Sequence, residues 1–240
     1  MTAPDASALP PPPDQWFHSF RFPDGSAIDG VKPFEGLMAE ADQIFCAPLA
    51  GKSVLDIGAW DGFFSFEAER RGAAQVLATD HFCWSGPGWG DKRGFDHAHA
   101  RFGSSVRSLD IDVRDHRPDE LGQFDMVLLL GVLYHVTDPY GTLEAAAAMC
   151  RDHLVVETVT ALKDEPLPAM RLFTELELNR DSTNYWAPNS PALREMCRRF
   201  GFTRFRVLPD TLENPGWRRR LARRFRRPDK YRRAIFHAWR

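Results

Sequence analysis

From Lys52 onward, short apolar runs alternate with amphipathic stretches, and this alternation leaves the chain few architectures to adopt. "SVLDIG", residues 53–58, is an apolar, β-branched run closed by a glycine turn, the pattern of a strand buried on both faces. "DGFFSFEAERRGA" follows as a helix, with acids early, arginines late and Gly72 as its stop. Further strands are predicted at 74–80, within 104–113, at 124–135 and at 152–160. "DPYGTLEAAAAMC" opens with a cap and a proline and reads as a helix. A helix near "SPALREMCRRFGF" precedes a strand at "TRFRVLP", and "YRRAIFHAW" closes the chain as a last strand. Strands that alternate with helices cross over right-handedly, so the expected class is α/β, a mainly parallel sheet with helices on both faces.

A chain of 240 residues suits one domain with a substantial core. Residues 1–15, rich in proline and small side chains, read as a flexible extension. The single domain expected over 16–240 carries an N-terminal cap at 16–50 and an irregular insertion at 161–189. That insertion follows the fifth strand, on the side where open sheets hold ligands, and reads as a substrate lid. No apolar run is long enough to cross a bilayer, and no secretory signal pattern opens the chain. Cys46, Cys83, Cys150 and Cys197 form no CxxC pair, which argues for reduced thiols in a cytoplasm and against a zinc site or disulfide framework.

The turn "LDIGAWDGFF" decides the ligand class. A dinucleotide fingerprint needs glycine at 58, 60 and 63 so that backbone approaches a pyrophosphate, but the chain has Gly58, Trp60 and Phe63. No G-K-[ST] follows, so a Walker loop fails too. An adenosine ligand without phosphate suits the turn better, and S-adenosylmethionine is one. It needs a glycine turn at the first strand end, here Asp56, Gly58, Trp60 and Gly62. At the second it needs an acid for the ribose hydroxyls, here Asp80 followed by His81. At the third it needs a polar adenine contact, here among Asp110, Ile111 and Asp112.

"VLDIGAWDGFFSFEAERRGA", "ATDHF", "FDMVLLLGVLYHVTDP" and "LNRDSTNYWAPNSPALREMCRRFGF" together resemble a class I S-adenosylmethionine-dependent methyltransferase. More narrowly, residues 16–240 are similar to the family around the tRNA wobble-uridine carboxymethyltransferase, with G-V-L-Y-H and a following D-P as the most specific motif. The resemblance implies a Rossmann-like fold, a seven-stranded sheet with a C-terminal antiparallel strand. It also implies cofactor contacts at Gly58, Asp80, Ile111, Asp112, Leu130 and Tyr134. In the carboxymethyltransferase, a lysine, a tyrosine and an arginine hold the extra carboxylate of its cofactor. Tyr134 and Arg233 match the last two, whereas "DQWFHSFRFPDG" offers no lysine and Lys32 stands too far along to align. Burying a carboxylate with one cation missing costs several kcal/mol, so plain S-adenosylmethionine and methyl transfer are expected.

His135, at the mouth of the fourth strand, is the first candidate for a general base or substrate-orienting group, and His81 the second. The competing reading of His135 is a hydrogen bond to backbone that holds the loop. Asn179, Asn184, Tyr185 and Trp186, with Arg233, are the candidate substrate wall; the alternative for the first four is a turn anchored by one aromatic. No metal ligand set is expected.

The net charge of −2 conceals an asymmetry: residues 218–233 hold ten basic residues and one acid, leaving about −11 on the remainder. Trp217, Leu221 and Phe225 recur every four residues, so an arginine-coated helix with one apolar stripe is expected there. Three readings stay open: docking on the domain, binding RNA phosphates, or lying on an anionic membrane surface. The function expected is methylation of an oxygen or nitrogen of a small-molecule metabolite. The alternatives are a tRNA-modifying methyl- or carboxymethyltransferase acting on wobble uridine, and a non-catalytic adenosine-ligand sensor.

Overall fold

The computed structural model describes residues 9–88, 90–209 and 231–240. A short hairpin, β1 (Phe20–Arg21) and β2 (Ala27–Ile28), leads into α1 (Phe34–Ile44). Next come β3 (Ser53–Ile57), α2 (Phe63–Arg70), β4 (Gln75–Asp80), α3 (Arg93–Phe102), β5 (Arg107–Asp110), α4 (Pro118–Leu121) and β6 (Phe124–Leu130). The remaining elements are α5 (Pro139–Ala148), β7 (Cys150–Thr160), β8 (Met170–Leu172), β9 (Trp186–Pro188), α6 (Ser190–Arg199), β10 (Arg204–Pro209) and β11 (Arg232–Trp239).

Seven strands make one sheet in the order β10-β11-β7-β6-β3-β4-β5. From β7 to β5 every neighbour is parallel, while β11 runs antiparallel to both β7 and β10. Alternate side chains of each strand feed two cores, because successive Cβ atoms point to opposite faces. Val54, Val76, Leu128 and Val155 pack with Leu37, Phe63 and Phe95 from the first three helices. Leu55, Leu77, Leu129 and Val156 pack with Leu143 of α5 and Leu193 of α6. Helices therefore cover both faces, as a parallel sheet requires.

Three local outcomes depart from the sequence reading. The strand expected over 124–135 stops at Leu130, because Gly131 turns with φ 74° and Leu133–His135 wind into a 3₁₀ turn. A helix, α3, occupies Arg93–Phe102, between the strands at 74–80 and 104–113, where the sequence pattern gives no element. The segment 161–189 is less irregular than expected: β8 and β9 pair antiparallel, and Phe173 and Ala187 are buried with Tyr134 and Val159. Asn189 explains how this segment gives way to α6. Its carboxamide oxygen accepts the Ala192 N–H at 2.9 Å as an N-cap, while its amide group donates to the Glu165 and Leu167 carbonyls.

Among the described residues no helix is long and apolar enough to cross a membrane. Trp89 and the stretch 210–230, which includes Trp217, Leu221, Phe225 and most of the arginine-rich run, lie outside the described residues.

Candidate functional site

The carboxyl ends of β3, β4, β5, β6 and β7 open into a cavity of about 480 Å³, closed over by residues near Phe17 and by 179–185. Its first wall is the turn after β3. Gly58 has φ 80° and leaves no room for a side chain, since an added Cβ would run into the Val132 methyl. Trp60 takes φ 47°, the left-handed region that non-glycine residues rarely occupy. Its indole stacks on Phe17 at 4.2 Å with the rings 6° apart, and its carbonyl accepts the Trp84 indole N–H at 2.8 Å. The aromatic at this position thus mounts the N-terminal segment on the turn. Asp61, buried beside it, accepts the backbone N–H groups of Phe17 and His18 at 2.9 and 3.0 Å and fixes the same segment.

Asp80 ends β4 and ties the turn together: one oxygen accepts the Trp60 N–H and the other the Cys83 N–H, both at 2.9 Å. Burial raises its pKa above the usual carboxylate value. Asp56, on β3, accepts the Ser65 hydroxyl at 2.6 Å, and burial pushes it up to about 6. At the end of β5, Asp112 caps a 3₁₀ turn and grips Arg114 through two hydrogen bonds of 2.9 Å, which pull its pKa down to about 2.

The β6 end carries the reactive candidates. Tyr134 and His135 lie on the 3₁₀ turn, and the Tyr134 carbonyl accepts the Tyr185 N–H at 2.7 Å, joining this turn to segment 161–189. His135 Nδ1 donates to the Thr183 carbonyl at 3.0 Å and also lies 2.9 Å from the Thr183 hydroxyl, which donates to Asp181 at 2.7 Å. A carbonyl can only accept, so the proton sits on Nδ1 and Nε2 is the basic nitrogen. Burial holds His135 below the ordinary imidazole value, hence neutral near pH 7. Deeper in, the Arg233 guanidinium clasps Glu157 through both of its carboxylate oxygens and donates to the Tyr134 hydroxyl at 2.9 Å.

Most of the residues singled out in the sequence meet here: Asp56, Gly58, Trp60, Asp80, His81, Ile111, Asp112, Leu130, Tyr134, His135, Asn179, Asn184, Tyr185 and Arg233 all line the cavity. Three do not. Gly62 caps α2 with φ 84° behind the turn, its absent Cβ facing Phe95 and Phe66. Asp110 turns to the surface and pairs with His81 at 3.0 Å. Trp186 donates its indole N–H to the Thr137 carbonyl at 3.3 Å, outside the lining. Asn184 lines the cavity, but its amide group is taken by the Leu178 and Asp181 carbonyls, as in a turn anchor.

Sequence reasoning missed Lys32, Glu40, Glu157 and Asp181. The expectation that no lysine joins Tyr134 and Arg233 is corrected by the structure: Lys32, set aside as too far along the chain, lines the same cavity and pairs with Glu40 of α1 at 3.1 Å. Nothing in a one-dimensional pattern signals that reach. With them the balance of the lining is clear: seven carboxylates, from Glu40, Asp56, Asp80, Asp112, Asp138, Glu157 and Asp181, face three cations, Lys32, Arg114 and Arg233. Such a cavity favours a ligand bearing positive charge and disfavours a diphosphate. S-adenosylmethionine, with a sulfonium and an ammonium, fits that field.

Residues 34–205 match the family described as "Methyltransferase domain". The tRNA U34 carboxymethyltransferase of Helicobacter pylori (strain G27) is 29% identical over 165 residues, 67% of this chain and 60% of that protein. The chain therefore matches less than two thirds of that relative's length. Among solved structures, the N-terminal domain of EvdMO1, crystallised in the presence of SAH and D-fucose, superposes with a TM-score of 0.67 at 18% identity. The match covers 94% of this chain and 91% of that one. The Burkholderia thailandensis 1,6-didemethyltoxoflavin-N1-methyltransferase, with bound S-adenosylhomocysteine, gives 0.59 at 16% identity, covering 85% and 78%. At such identities the likeness is one of fold. The matched family, the strand order and the carboxylate-lined cavity at the strand ends lead to one conclusion: the chain belongs to the methyltransferase-domain family, Rossmann-like proteins that use S-adenosylmethionine.

Proposed function

We propose that the protein methylates a hydroxyl oxygen or a neutral nitrogen of a small-molecule metabolite, with His135 as general base. The observation that carries this reading is His135 itself, neutral by burial and fixed by Thr183 with Nε2 as its basic nitrogen, at the lip of an acid-lined cavity. S-adenosylmethionine supplies an electrophilic methyl: the acceptor's lone pair forms the new bond to carbon as the carbon–sulfur pair returns to sulfur. Of the chain's own groups, Asp80 takes the ribose hydroxyls, the Gly58–Trp60 turn and Asp56 face the amino-acid end, and Ile111 and Asp112 meet the adenine. Leu130 and Tyr134 complete that wall. The acceptor sits between Asn179, Tyr185 and His135, whose Nε2 removes its proton. In this reading residues 16–50 act as a cap and 161–189 as a lid, tied to the β6 end through Tyr134 and Thr183.

Plain methyl transfer is favoured over carboxymethyl transfer by charge. Both cations deep in the cavity are already matched, Lys32 by Glu40 and Arg233 by Glu157. A further carboxylate there would have no free counter-charge, and an unpaired buried charge costs several kcal/mol. The second reading, tRNA modification, is favoured by the name of the curated relatives and by Lys32, Tyr134 and Arg233 all reaching the cavity. Incubation of cell extracts with methyl-labelled cofactor, followed by separation into RNA, lipid and small-molecule fractions, distinguishes the two. Label in the small-molecule fraction is expected, and label confined to RNA would overturn the proposal.

A further inference from the structure

A second cluster of reactive side chains lies at the opposite end of the sheet. His153 stands near the start of β7, four residues before the cavity-lining Glu157, so roughly 13 Å of strand separates the two regions. β11 brings His237 beside it, and Cys46 follows directly on the C-cap of α1. His153 Nε2 lies 2.9 Å from His237 Nδ1, and the Cys46 sulfur lies 4.0 Å from the same Nδ1. All three donor atoms fall within 4.8 Å of one another.

From this geometry we infer that Cys46, His153 and His237 form a site for a zinc-like, borderline-soft divalent ion, with the fourth position open to solvent beside Cys46. Tetrahedral zinc with bonds of about 2.0–2.1 Å to nitrogen and 2.3 Å to sulfur would separate its ligand atoms by roughly 3.3–3.6 Å. The observed 2.9 and 4.0 Å bracket that range, and the third pair, the Cys46 sulfur and His153 Nε2, lies within 4.8 Å, so closure needs shifts of up to about 1 Å. The rings are held by packing: the imidazoles stack at 5.2 Å, and the Trp239 indole stacks near both, at 4.6 and 5.5 Å. Both histidines are buried and Cys46 is exposed, which gives the ion an entry path.

Cysteine spacing predicts no zinc site in this chain, and the reason for the difference is topological. The ligands come from positions 46, 153 and 237, brought together by α1 packing on the sheet and by the antiparallel register of β11 on β7. The site is independent of the methyl-transfer reading. An ion there would clamp the end of α1 to the last strand, and any ion that binds only the folded chain stabilises it.

Cobalt(II) titration of the full, metal-stripped chain, followed by zinc displacement, tests the assignment. One cobalt per chain is expected, with the visible bands of a tetrahedral ion and a thiolate charge-transfer band. Cys46→Ala removes an exposed side chain and should fold normally. It should lose the charge-transfer band and at least about tenfold in zinc affinity, while methyltransferase activity is unchanged. His237→Ala should lose binding as well; were it to unfold, Cys46→Ala alone still decides. Absence of stoichiometric binding, or equal binding by Cys46→Ala, would overturn the inference.

Discussion

His135 shows how one residue acquires a role from two neighbours. The Thr183 carbonyl selects its tautomer and Asp181 orients the Thr183 hydroxyl beside it, so ring orientation and proton position are set together. His135→Ala is expected to lower kcat by about 10²–10⁴-fold, the usual contribution of a general base. Affinity for S-adenosylhomocysteine, read by calorimetry, should stay within about threefold; an equal loss of both would point to loop-holding instead. The pH profile carries a sign as well. Burial lowers the pKa of His135, so the neutral form that the proposed general-base role requires persists to lower pH. The rate should stay level through pH 7 and decline only below the ordinary imidazole value of 6.5. A decline beginning above that value would contradict the assignment.

At the scale of elements, the contact between β7 and β11 carries both the sheet and the cavity. Register places Arg233 opposite Val159, and its guanidinium reaches Glu157, whose side chain is only 3% exposed. Removing one partner of a buried pair leaves the other charge uncompensated, at about 3–5 kcal/mol. Arg233→Met should therefore lower Tm by roughly 10 °C. Arg233→Met combined with Glu157→Leu should recover most of that loss, because the stranded carboxylate is gone. Thermal unfolding of the two variants measures the difference, and equal losses would mean that packing, not charge, dominates. The β6 end follows similar logic: the strand pattern runs on to His135, but Gly131 turns the chain early and frees Tyr134 and His135 to face the cavity.

The whole molecule is electrically divided, with +9 concentrated in residues 218–233 and the remainder near −11. The cavity is acidic as well: seven carboxylates outweigh three cations in its lining, one of which, Arg233, comes from the end of the basic run. The basic run is therefore the expected contact for a polyanion. Retention of mixed tRNA is expected to weaken steeply with salt, by about 10³-fold or more between roughly 50 and 200 mM if six or more phosphates are contacted. Replacing the arginines at 218–227 with glutamine should abolish retention and leave S-adenosylhomocysteine affinity unchanged. Filter binding across a salt series gives both answers, and a salt-independent signal would remove the basic run as its source.

The strand–helix alternation, the glycine turn and the acid ending the second strand are local patterns, and they sufficed for the sheet and for the cavity wall formed at the ends of β3 and β4. Even Trp60, the odd residue of the turn, was informative as sequence, because an indole there excludes a pyrophosphate. Tertiary structure alone decided which distant residues share a site. Lys32 and Glu40 arrive from the N-terminal elements, Glu157 and Arg233 from paired strands, and Asp181 from a segment with no regular period. Cys46, His153 and His237 meet for the same reason. Local periodicity reports which face of an element is buried, whereas the meeting of residues far apart in sequence depends on packing and register.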